Sequence, residues 1–281
     1  MLLGLLACTP TYDPVPPPTA RLFGDDTGVD TGASGGDCEG LEFAPERSVV
    51  LHTEQELAWF RARYYGAERL YLDAIPGVTH VTLDCLTEVQ YLWVASMPQL
   101  EVLTVPEVTV TNSVQVIYSP AFQRLEMPVM QSTGQLTLME TPHADTVDAP
   151  VMTGVGRLQL TNTPALFEVA APLTEVQEIV LGGNANPVVP PGITTLQNDL
   201  ALIGSQLPDL DAFEPLTHVG RLRLEANPKL TDLSGLYGLQ AVDGDVIIVA
   251  NPQLTREQID DLLAEIEFIG GVIEINDNGG A

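Results

Sequence analysis

Glu126 and Asp148 are the residues whose types and spacing come nearest to chemistry. They stand 22 residues apart, and short apolar-x-apolar triplets recur along the chain at the same interval. A repeat of that length would stack the two carboxylates on neighbouring strands, about 4.8 Å apart. A hydrolase or lyase needs such a cluster, one group to donate a proton and one to act as base or nucleophile. This is the single stacked acidic pair that the repeat generates, and two solvated charges on a very acidic surface account for it as well. The histidines His52, His80, His143 and His218 fall at different places in their repeats and form no common site. The segment from Asp25 to Gly32 lacks the oxygen-ligand spacing of a calcium loop. Glu274-x-Asn276-x-Asn278-Gly279 begins like one but has no closing Glu. Gly182-Gly183 lies at a corner rather than between a strand and a helix, so it makes no phosphate loop. The expectation is a non-enzyme with no catalytic residue, no metal and no cofactor.

The repeat sets the elements that would hold these residues. Triplets begin at Leu70, Leu92, Val114, Leu136, Leu158, Ile179, Leu200, Leu222, Val246 and Ile273, a period of about 22 residues that lengthens at the last two steps. Each unit is then one coil of a solenoid, able to bury its apolar side only against its neighbours. Alternation turns the outer residues of each triplet inward and the middle one outward. Second triplets follow in the early coils (Val81/Leu83, Leu103/Val105, Leu125/Met127, Val147/Ala149), and a third apolar pair such as Leu86/Val89 or Leu216/Val219 closes the turn. A proline six residues into most coils, from Pro76 to Pro252, marks a corner, because it has no N–H to give a ladder. Thr53-x-x-Glu56 and Thr255-x-x-Gln258 are capping boxes that open amphipathic helices, so a short helix is expected at each end, the first just before the first repeat. The reading is a mainly β protein, a parallel β-solenoid of about ten coils, spanning residues 43–281 with both caps.

Composition narrows the partners. Among 281 residues, 38 Asp and Glu face 11 Lys and Arg, a formal charge of −27. Nucleic acid needs a basic footprint and is excluded, and docking of the folded body on anionic lipid is disfavoured. No run of 18 apolar residues exists to form a membrane-spanning helix. Met1 to Ala7 is a short apolar stretch, and Leu5-Leu6-Ala7-Cys8 resembles the lipobox of bacterial lipoproteins. That resemblance implies cleavage before Cys8, lipidation of Cys8, and a place in the bacterial cell envelope, at the outer membrane or cell surface, with the lipid as the only membrane contact. A frayed N-terminus with a chance cysteine is the plainer alternative. Residues 1–7 then form a signal-like segment, and residues 8–42 hold the lipidation site and a disordered acidic Pro/Gly tether. With Cys8 lipidated, Cys38 and Cys85 remain, either as a disulfide at the entrance to the solenoid or as two unpaired thiols.

The later corners carry Leu-x-Leu-x-x-Asn-Pro-x-Leu, seen from Leu222 to Leu230 and, with Val246 and Ile248, again to Leu254. This pattern resembles leucine-rich repeats, and more closely the receptor L-domain type of solenoid. The resemblance implies a right-handed β-solenoid whose corner Asn side chains bond neighbouring coils, a role carried to Asn227, Asn251 and Asn186. Earlier coils have Met97, Ser119, Thr141 and Thr163 at that place, so an unbroken Asn ladder is not expected.

A surface is left as the working part. Tyr71, Trp93, Gln115, Thr137, Gln159 and Arg223 form one outward column. Aromatics beside hydrogen-bonding side chains suit protein or glycan contact, though the same residues also make good strands on a wet face. The expected function is a monomeric, non-enzymatic envelope lipoprotein whose solenoid binds an unknown protein or polysaccharide or serves a structural role. The alternative is a secreted carbohydrate-active enzyme on the same scaffold.

Overall fold

Alternating apolar residues favour strands, and strands that cannot bury their own apolar side must pair with the next coil. A computed structural model, which describes residues 38–166, 168–184 and 192–279, shows a parallel β-solenoid of about 9 turns. Its first sheet runs through Tyr64–Asp73, Glu88–Ala95, Val110–Ile117, Ser132–Met139, Gly154–Thr161, Glu175–Gly182, Thr195–Ile203 and His218–Glu225. It continues into Val246–Val249 and Ile273–Asn276. The triplets pair one to one, Leu70 with Leu92, Leu92 with Val114, Val114 with Leu136, and so on to Val246 with Ile273. Their outer members, such as Leu70, Leu72, Leu136 and Leu138, are fully buried.

The second sheet has five short strands, His80–Thr82, Val102–Thr104, Arg124–Glu126, Thr146–Asp148 and Glu168–Ala170. In two later coils a 3-10 turn replaces the strand, at Asp211–Phe213 and Ser234–Leu236. The large buried side chains there are Leu210 and Phe213, then Leu233 and Leu236. Their three-residue spacing suits 3-10 geometry, in which i and i+3 share a side.

Helices α1 (Glu54–Arg61) and α2 (Arg256–Glu265) both start from complete capping boxes. Helix α1 lies later in the coil order than the sequence reading places it. Strand Ser48–Leu51 precedes it and pairs parallel with the first sheet, Val49 opposite Leu70. The solenoid therefore begins one coil earlier, with α1 following that coil's first-sheet strand. Strand Glu42–Phe43 also pairs with Tyr64 and Gly66, so Glu42, assigned to the tether, belongs to the folded body. Cys8 and the tether as far as residue 37 lie outside the described residues. Cys38 is bonded to Cys85, with Cα atoms 5.6 Å apart across 47 residues of sequence.

Corners follow one backbone plan. Ala74, Ser96, Tyr118, Glu140, Asn162, Ala226 and Ala250 all have φ between +51° and +57°, and Gly183 and Gly204 take the equivalent place in their coils. Left-handed backbone costs a non-glycine residue roughly 1 kcal/mol. The next residue in several of these coils then donates its N–H to the side chain of the following coil. Met97 donates to Ser119 Oγ (3.3 Å), Thr163 to Asn184 Oδ1 (2.9 Å) and Ser205 to Asn227 Oδ1 (2.8 Å). Asn227 and Asn251 continue the series to Asn251 Oδ1 and Asn278 Oδ1, each at 3.0 Å. Each of these asparagines also reaches back, Asn184 Nδ2 to Leu160 O, Asn227 Nδ2 to Leu202 O and Asn251 Nδ2 to Leu224 O. In its coil the position belongs to Asn184; Asn186 lies outside the described residues. The ladder is thus carried by mixed side chains, and at Thr141 a buried hydroxyl has no partner.

Three outcomes follow from these contacts. Asn227→Ala strands the Ser205 N–H and the Leu202 carbonyl, and at roughly 1–3 kcal/mol per buried unmatched group it lowers stability by about 3 kcal/mol. Thr141→Val removes a hydroxyl that bonds nothing and shifts stability by less than about 1 kcal/mol. Urea unfolding of both variants reads this contrast, and equal losses would contradict the ladder. Reducing the Cys38–Cys85 bond lowers the unfolding free energy by about 2–4 kcal/mol, measured as the shift in urea midpoint with and without reductant.

Candidate functional site

Parallel in-register pairing stacks like positions, and this builds the aromatic end of the first sheet's outer face. Tyr71 pairs with Trp93, their ring centroids 6.0 Å apart and the planes 32° from parallel. One column over, the Arg69 guanidinium sits 5.3 Å from the Tyr91 ring centre, a cation–π contact. Trp93 then leads in register to Gln115, Thr137 and Gln159. The structure thus brings these five candidate residues into one column, which runs on in register through Val180 and Ala201 to the sixth, Arg223. Arg223 lies further along the same face, where its Nε donates to Glu225 Oε1 at 2.7 Å.

Two of the six are not the exposed residues the alternation implies. Gln115 is only 8% exposed and Thr137 2%. Gln115 Nε2 donates to Ser113 Oγ, and Gln135 Nε2 donates to Thr137 Oγ1, both at 2.9 Å. The centre of the face is buried here, Ser113 and Ile117 included, whereas Tyr71, Trp93, Gln159 and Arg223 remain half-buried.

An ion ladder on the same face escaped the sequence reading. Arg157 Nη1 lies 3.3 Å from Glu178 Oε1, and Arg221 grips Asp199 through Nε (3.1 Å) and Nη2 (2.7 Å). Glu178 and Asp199 occupy adjacent strands, with side chains 17% and 15% exposed. The signal was present, since all four residues stand immediately before the first apolar residue of a triplet. Burial pushes the Glu178 carboxyl above its ordinary range, opposed by Arg157 and reinforced by Asp199. The hydrogen bonds to Asp199 push Arg221 higher still. Arg157 Nε is buried with no hydrogen-bond partner.

Glu126 and Asp148 do stack on the second sheet. Glu126 is held there by Thr104, whose Oγ1 donates to Oε2 at 2.9 Å, and by Arg124 at 3.6 Å. The histidines remain apart: His52 Nδ1 lies 3.1 Å from the Asp73 carbonyl and His218 Nε2 lies 3.0 Å from Asp243 Oδ2. Among the described residues no three His, Cys, Asp or Glu side chains are placed to hold a metal ion, and no helix is long and apolar enough to cross a membrane.

The raised Glu178 has a definite pH signature. Its folded form binds a proton more tightly than the unfolded form, so its contribution to stability is present at low pH. That contribution is lost as pH rises through the unfolded and then the folded value. Glu178→Gln therefore matches the parent near pH 4 and gains on it by pH 7. Paired urea titrations at the two pH values check this; a difference that does not change with pH would show that burial does not govern the group.

Neither a protein-family model nor a curated protein sequence matches this chain.

Proposed function

We propose that this chain is a non-enzymatic lipoprotein of the bacterial cell envelope, anchored through Cys8, whose solenoid presents its first sheet to a protein or glycan partner. The observation that carries the reading is the long outer face of that sheet. Its stacked register sets Tyr71 and Trp93 beside hydrogen-bonding side chains at fixed spacing. Such a face is rigid, and a rigid binding surface loses little conformational entropy when a partner arrives. The Asn-Pro corners at Asn227 and Asn251 support a likeness to receptor L-domain solenoids. The anchor rests on Leu5-Leu6-Ala7-Cys8.

The enzyme alternative rests on Glu126 and Asp148. The bonds from Thr104 and Arg124 give Glu126 a structural occupation, which favours the binding reading over the catalytic one.

Intact-mass measurement of the protein extracted from membranes of its native host tests the proposal. The expected species begins at Cys8 and carries a diacylglyceryl group. A chain with an unmodified Cys8 would remove the anchor and return a freely secreted role to first place.

A further inference from the structure

The last coil keeps the full plan of the solenoid, and no further coil covers it among the described residues. Strand Ile273–Asn276 pairs with Val246–Val249 on one side only. A left-handed residue, Asp277 (φ +55°), follows it, then a corner asparagine, Asn278, whose Oδ1 accepts from the Asn251 N–H. One coil earlier, the Val246 N–H donates to Val272 O and the Ala250 N–H to Asn276 O, both at 2.9 Å. The corresponding N–H groups of Ile273 and Asp277 find no such acceptor among the described residues.

Apolar side chains share this exposure. Val246 is fully buried, whereas Ile273, stacked on it, is 47% exposed, with Val272 at 70% and Phe268 at 55%. Beside the strand, a cleft of about 160 Å³ opens between Arg256 and Ile259 of α2 and the segment from Ile275 to Gly279. A cavity of about 150 Å³ holds a benzene-sized group, so the cleft has room for one large side chain. Charge at this end is one-sided. From Arg256 to Gly279 there are seven carboxylates and one cation, and that cation, Arg256, is held by Asp260 at 2.9 Å. Glu267, Glu274 and Asp277, all exposed, flank the open strands.

We propose that this end of the solenoid captures an extended, cationic segment of a partner protein, which adds to Ile273–Asn276 as one more strand. In such strand addition the backbone ladder supplies affinity and alternate side chains supply specificity. The register of the coils sets the pattern required of the partner. Residues stacked on Ile273 and Ile275 continue the core columns and are apolar. The residue between them stacks on Glu274 and is Lys or Arg, because opposite charges stabilise a cross-strand pair. A second copy of this chain fits less well. Two such ends would set seven carboxylates against seven. At the opposite end, strand Ser48–Leu51 has Val49 and Leu51 already covered, at 0% and 1% exposed. The site does not depend on Tyr71 or Trp93 and stands apart from the binding face they form.

The test is fluorescence anisotropy of the purified full chain with a labelled peptide of alternating Val and Lys, about eight residues long, enough for one strand. The control peptides alternate Val and Glu, carry Pro at the centre of the parent, or hold the same composition with all Val in one block. The expected result is binding of the Val-Lys peptide, with each control weaker by about tenfold or more. Proline removes a ladder donor, and the block sequence loses the alternation. Ile273→Lys sets a cation on the apolar edge and weakens binding by about tenfold, and Glu274→Gln weakens it about threefold. Val151→Lys adds the same charge at an exposed site in another coil and leaves binding unchanged. Unchanged urea midpoints would show that the variants remain folded. If Ile273→Lys lowers its midpoint, Val272→Lys carries the same expectation. Equal binding of the block peptide would show mere attraction to an acidic surface and overturn the proposal. Binding of no peptide, or binding indifferent to both edge lysines, would overturn it too. A dimer in analytical ultracentrifugation that Ile273→Lys dissolves would make a second copy the occupant and overturn it as well.

Discussion

Each coil of this protein buries its apolar triplets only against the coils before and after it. That dependence forces like positions into contact, Leu70 on Leu92 and Leu136 on Leu158, because a slip of one residue would turn every apolar side chain outward. Once the register is fixed, every other column is fixed with it. Tyr71 must meet Trp93, Arg157 must meet Glu178, and Asp199 must meet Arg221. The surface is a consequence of the core.

The corners show how the chain sustains that register. From Tyr64–Asp73 to Val246–Val249 a left-handed residue follows each first-sheet strand that carries a triplet, and in several of these coils the next N–H points to the following coil, where a short side chain receives it. Asparagine suits the place best, since its amide accepts from one coil and donates back to a strand carbonyl. Serine performs half of the exchange, and threonine at position 141 performs none of it. Polar bonding along the stack is therefore uneven, and the middle coils rely more heavily on apolar packing and strand pairing.

Charge is distributed with equal consequence. The strands that follow Gly154–Thr161 place opposite charges in register, so half-buried carboxylates at Glu178 and Asp199 have arginine partners. Buried charges without such partners would be costly. Strands Glu88–Ala95, Val110–Ile117 and Ser132–Met139 carry mainly amides, hydroxyls and aromatic rings instead. One sheet thus offers two chemically different surfaces on a single rigid frame.

Period and alternation were legible in the sequence because both are local, one-dimensional properties. Spacing alone placed the ten triplets in one column, set the prolines at corners and opened both helices with capping boxes. Strand Ser48–Leu51 was legible too, as an apolar triplet beginning 21 residues before Leu70. Exposure was not legible. Gln115 and Thr137 point outward as alternation requires, yet both are buried and hydrogen-bonded to side chains two residues away, a coverage that arises only in the folded stack. Likewise Asn184 holds the corner assigned to Asn186, and the ion ladder formed in a column that the triplets do not include. The chain by itself determined which way each residue points; the tertiary structure decided what it meets there, because burial and charge pairing depend on neighbours a full coil away.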